Sequence, residues 1–79
     1  MEIEILEIGD KKENIVMIIG NGEDRLLKTF GFSAEYDVEK NRIISLVCDP
    51  VKYNKRCLLK HNLLFKIRGE RKLHSEYFE

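Results

Sequence analysis

Ser33-Ala34-Glu35-Tyr36-Asp37-Val38-Glu39-Lys40-Asn41-Arg42-Ile43-Ile44-Ser45-Leu46-Val47-Cys48 is the stretch that decides the fold. Two runs of strand-forming composition, Ser33 to Asp37 and Arg42 to Cys48, flank the polar segment Asp37 to Asn41. That segment suits a type I turn with Asn41 in the left-handed position, so the whole reads as a β-hairpin. Ile43 to Cys48 is nearly all apolar, which makes it a candidate for the centre of a sheet.

Toward the N-terminus, Gly20 to Phe32 admits two readings. Asn21-Gly22 after a strand signals a hairpin, because both residues tolerate positive φ. Asn21 is also a good N-cap, and Glu23 and Asp24 suit the positive end of a helix. Leu26, Leu27 and Phe30 share a helical face and Gly31 suits a helix end. A short helix over residues 22–30 is the favoured expectation. Ile15-Val16-Met17-Ile18-Ile19 is apolar throughout and reads as a central strand buried on both faces. Gly9 to Asn14 is a turn. Glu2 to Ile8 is a first strand, with Ile3 and Ile5 on one face and Leu6 and Ile8 on the other, a change of side that suggests a twist or bulge, or burial of both faces near its end.

Toward the C-terminus, Asp49-Pro50 reads as an N-cap followed by proline at the first helical position. A helix from about Pro50 to His61 would turn Val51, Leu58 and Cys57 inward and could close at Asn62. Leu63, Phe65 and Ile67 then alternate with Leu64, Lys66 and Arg68, a strand-like period. Residues 72–78 fit strand or helix. The expected core comprises Ile15, Val16, Ile18, Ile19, Leu26, Phe30, Ile43, Leu46 and Val47.

These elements give an α+β fold, residues 1–79 as a single domain, with a mainly antiparallel sheet of about four to five strands and one or two short helices. Seventy-nine residues leave no room for a second domain. A chain this short buries only about 60–65% of its unfolded surface, so the core is thin. No apolar run approaches the ~20 residues of a membrane helix, and Met1-Glu2-Ile3-Glu4 lacks the basic start of a signal peptide. A cytoplasmic location follows as an expectation. In that setting Cys48 and Cys57 read as buried thiols rather than a bridge.

Chemistry finds little purchase. Gly20-Asn21-Gly22 resembles the start of a phosphate loop, but Arg25 stands where a third glycine belongs, and Glu23 and Asp24 would repel a phosphate. Cys48, Cys57, His61 and His74 are spaced C-x8-C-x3-H-x12-H, far looser than the ligand pairs of compact zinc modules. Ser33, Ser45 and Ser75 lie in no nucleophile turn. Glu2, Glu4 and Glu7, and Glu35 with Asp37, read as solvated strand faces, not as catalytic pairs. The chain is therefore expected to be non-enzymatic, with no cofactor and no metal.

Charge is the most informative feature. Residues 1–50 hold six bases against eleven acids, a balance of −5. Residues 51–79 hold eight bases against three acids, a balance of +5. Such polarity suits complementary docking to a protein partner or to a second copy. The leading expectation is a small protein-binding module, acting as a regulator, inhibitor or accessory subunit by surface occlusion, as phage-type regulators do, or self-associating. The alternative is nucleic-acid binding through the basic segment 52–72. Lys52, Lys55, Arg56, Lys60, Lys66, Arg68, Arg71 and Lys72 would meet phosphates, with Tyr53, and Phe65 if exposed, stacking on bases. No membrane partner is expected.

Overall fold

The turn after Tyr36 forms as its residues dictate. Asp37 Oδ1 accepts the backbone N–H groups of Glu39 and Lys40, both at 3.0 Å. Asn41 adopts φ 53°. The buried Tyr36 hydroxyl donates to Asn41 Oδ1, tying the turn to the core. Asp37 is consequently buried, unlike the solvated face expected for it. In the computed structural model, which describes residues 2–49 and 57–70, this turn joins the last two strands of a four-stranded antiparallel sheet.

The strands are β1 (Glu2–Ile8), β2 (Ile15–Glu23), β3 (Thr29–Asp37) and β4 (Arg42–Asp49), paired in sequence order. One helix, α1 (Cys57–Gly69), follows among the described residues. The fold is thus α+β, a meander with a helix laid on one face. Val16, Ile18, Phe30, Phe32, Ala34, Tyr36, Ile43 and Cys48 form the covered face of the sheet, and Leu59, Leu63 and Ile67 complete the core from the helix.

Both edge strands carry a bulge. In β1 the register shifts between Ile5 and Glu7, and the extra residue, Leu6, is turned out to solvent. Ile8 therefore returns to the face of Ile3 and Ile5 and packs on the core with them, not on Leu6's side. In β4 Ser45 pairs with Glu35 and Ile43 with Tyr36, so Ile44 is the extra residue. Such bulges interrupt the exposed ladder and discourage edge-to-edge pairing.

Four expectations are corrected. Residues 22–30 form no helix: β2 runs on to Glu23 and turns into β3. Asp24 Oδ1 accepts from Leu26 N at 2.9 Å and Lys28 N at 3.0 Å, so the residue expected to support a helix start organises a hairpin loop instead. The reason lies across the strands. Gly20 pairs with Phe32 and Gly22 with Phe30, and each phenyl ring lies over the glycine opposite, in space a Cβ would occupy. The glycines accommodate aromatic rings; they neither cap nor turn.

Ile15 to Ile19 is central but alternates, with Val16 and Ile18 buried and Met17 and Ile19 exposed, because α1 covers only one face. Ile43 to Cys48 lies at an edge of the sheet, not its centre. Its Val47 is 58% exposed, and Leu26 sits at the loop tip, so neither is core.

The fourth correction concerns Leu63 to Ile67, which is helix, not strand, with Asn62 inside it. Leu59, Leu63 and Ile67 recur every four residues and are fully buried, whereas a strand would have buried Phe65 with Leu63. Each of the three contributes about 1.5–3 kcal/mol by burial. Leu58, expected inward, faces solvent. Lys66 and Arg68 in the last turn offset the negative end of the helix dipole. The expected helix start at 50–56 and the element at 72–78 lie outside the described residues.

The loop between β2 and β3 carries strain. Leu27 adopts φ 61°, a region that disfavours a residue with a Cβ, and it is 75% exposed. Leu27→Gly is therefore expected to raise stability by about 0.5–1 kcal/mol, seen as a higher urea midpoint. A lower midpoint would mean that Leu27 makes contacts worth more than its strain.

Candidate functional site: the uncovered sheet face

The strand register places Glu7, Ile19, Ser33 and Val47 in one row across the face that α1 leaves open. Glu4, Asn21, Gly31 and Asp49 form a neighbouring row, and Met17, Glu35 and Ser45 another. Along β3 the outward positions are therefore Thr29, Gly31, Ser33 and Glu35, mostly small. Met17 and Ile19 rise on one side of them and Val47 on the other. The result is a shallow trough over β3, with apolar walls and a rim of carboxylates from Glu4, Glu7, Glu35 and Asp49. At one end a depression of about 400 Å³ is lined by Asn21, Thr29, Phe30, Gly31 and Asp49. Glu35 is held in place by the Ser45 hydroxyl, which donates to it at 2.9 Å.

Gly31 differs from Gly20 and Gly22. No atom stands within 4 Å of the position its Cβ would take, and its φ is not positive. Neither crowding nor conformation within the fold requires glycine there. A glycine inside a strand weakens it, and commonly marks where another backbone or a ligand comes close.

The opposite side of the molecule is basic. α1 crosses the covered face from β4, where Lys60 and Leu64 stand beside Arg42 to Ile44, toward β1, where Glu70 stands beside Ile5 to Ile8. Its solvent side carries Leu58 (54% exposed), His61 and Phe65 (76% exposed). Leu58 and Phe65, seven residues apart, fall two turns apart on one side, directly away from the Leu59–Leu63–Ile67 stripe. The −5 and +5 of the sequence thus appear in part as an acidic sheet face and a basic helix.

Of the residues expected to bind, Lys60, Lys66 and Arg68 are exposed on α1. They do not share a side: at about 100° per residue, Lys66 points nearly opposite Arg68, and Lys60 takes a third direction. Arg68 is close enough to Tyr36 to influence its hydroxyl. Lys52, Tyr53, Lys55, Arg56, Arg71 and Lys72 lie outside the described residues. The apolar trough escaped sequence reasoning, since Ile19 and Val47 read as core and Met17 as part of a strand buried on both faces. The glycine at 31, inside a run of strand composition, was its one visible signal.

The chemical candidates are not gathered. Cys48 is a buried thiol on the covered face, and His61 is on the outside of α1. The side chain of Cys57 and all of His74 lie outside the described residues. Among the described residues no three His, Cys, Asp or Glu side chains come together as a metal site requires. No described helix is long and apolar enough to cross a membrane.

Burial pushes the Cys48 thiol above its ordinary 9.0. Desolvation likewise raises Tyr36 above 10.0, with Arg68 opposing and Asp37 adding to the rise. In both, the neutral form is favoured when folded, so ionisation opposes folding. The stabilisation is complete below the ordinary values and is lost as pH rises through the higher folded ones. Stability should hold through neutral pH and decline above about pH 9. Denaturation midpoints at intervals from pH 7 to pH 11 check this, and Cys48→Ala should soften the first part of the decline. An unchanged slope in that variant would remove Cys48 as a cause.

Neither a protein-family model, nor a curated protein, nor a solved structure matches this chain.

Proposed function

We propose that this chain is a non-catalytic protein-binding module that docks through the open face of its sheet. The observation that carries the reading is the one-sided cover: α1 buries one face, while the other leaves Met17, Ile19 and Val47 exposed inside a ring of carboxylates. An apolar centre with a charged rim is the usual anatomy of a protein interface. The acids favour a partner whose contact surface is apolar and basic. Edge-strand addition to Glu2–Ile8 is disfavoured by its bulge and its three exposed glutamates. As a regulator, inhibitor or accessory subunit the domain would act by covering a surface of its partner.

A photoreactive residue at Ser33, in the trough, tests this against the same residue at Lys40, in an exposed turn at the end of the sheet. Illumination in cells should give protein adducts from position 33 that vanish with Ile19→Glu. No adduct from position 33, or equal adducts from both positions, would end the reading.

Nucleic-acid binding through residues 52–72 is the second reading, favoured by the exposure of Phe65 on the helix that carries Lys60, Lys66 and Arg68. It requires binding to labelled DNA or RNA that weakens steeply with salt. Absence of binding at low salt would close it.

A further inference from the structure

Two exposed apolar surfaces stand out on the described chain, and they carry opposite charge. The trough is bordered by Glu7, Glu35 and Asp49. The helix ridge of Leu58 and Phe65 has Lys66 on one side and Arg68 on the other, while Lys60 points away toward β4. We propose that the chain assembles head to tail, the Leu58–Phe65 ridge of one copy seating over Gly31 in the trough of the next. The inference rests on the open sheet face being a docking surface, and names a second copy as its occupant.

Three observations favour a copy of this chain in that orientation. A helix laid on the open face would complete a three-layer packing in which both faces of the sheet are covered. The missing side chain at Gly31 lets a helix approach the sheet closely, and Phe65 is large enough to reach between Ile19 and Val47. Symmetric docking of two open faces would instead set Glu7, Glu35 and Asp49 of one copy against the same acids of the other, which costs energy. Helix on trough turns that repulsion into attraction. The contact is heterologous, since each copy uses a different surface toward each neighbour, so it generates rings or open chains rather than a closed pair.

Sedimentation velocity over a rising concentration series, at ~50 mM and ~500 mM salt, tests the assembly. The average mass should climb past a dimer with concentration and fall back at high salt. Gly31→Trp fills the trough, at a half-buried site where no atom stands within 4 Å of an added Cβ, and Phe65→Glu spoils the ridge at an exposed one. Each variant alone should stay monomeric. Each keeps one intact surface, so an equimolar mixture should form a dimer and stop there.

That mixing result also shows that both variants are folded. A monomeric wild-type chain at high concentration would overturn the proposal. So would Phe65→Glu assembling as the wild type does, which would indicate symmetric sheet pairing. If position 33 crosslinks a different protein while the wild type stays monomeric, the docking face stands and self-assembly falls. If position 33 crosslinks nothing, both fall.

Discussion

Gly20→Ala is expected to cost about 3 kcal/mol or more and to leave much of the domain unfolded at room temperature. A Cβ there meets the Glu4 carbonyl oxygen of β1 and the Phe32 ring together. The ring can rotate slightly, but the carbonyl belongs to a strand held in its ladder beside Gly20 and cannot withdraw. Gly22→Ala meets only ring atoms of Phe30 among its nearest neighbours, so a smaller loss of about 1–2 kcal/mol is expected. Gly31→Ala meets nothing and should be neutral or stabilising by about 0.5–1 kcal/mol. Urea midpoints of the three variants give the ranking directly. Gly22→Ala costing more than Gly20→Ala would show that the rings, not the β1 carbonyl, set the limit.

Leu63→Ala should remove about 2–5 kcal/mol, because Leu63 is the middle of the three helix residues that seal the sheet and has no exposed surface. In a domain this small the loss translates into a Tm lower by more than about 10 °C. Leu58→Ala, one residue before the buried stripe begins, should change stability by no more than about 0.5 kcal/mol. Thermal melts of the pair separate the two sides of α1. Equal losses would mean that the helix lies on the sheet by a different face.

The hairpin of residues 33–48 was legible because its determinants are local: Asp37 and Asn41 dictate a turn whatever surrounds them. The bulge in β1 was legible too, as a break of phase between Ile5 and Leu6. Gly20-Asn21-Gly22 misled because its meaning depends on Phe30 and Phe32, which meet the glycines only once β2 and β3 pair. Leu63 to Ile67 satisfies both a two-residue and a four-residue period. The uncovered apolar face of the sheet decides between them, and that face exists only after the strands assemble. The candidate site was hidden for the same reason: an isoleucine at 19 and a valine at 47 read as core until it is known that one face has no cover. Charge polarity alone pointed toward docking, without saying on which surface.

Every strand pairs only with its neighbour in sequence, so the sheet can grow hairpin by hairpin across short loops. The helix has the longest reach, back to β1 across most of the chain. On a ribosome the last residue of β4 precedes the end of α1 by twenty residues. At roughly 5–20 residues per second that is an interval of about one to four seconds. During it Phe30, Phe32 and Tyr36 wait without their lid, and a nascent sheet is sticky on both sides. The bulges in β1 and β4 interrupt the edge ladders in that lidless sheet as they do in the finished fold, which disfavours pairing between half-made copies before α1 arrives.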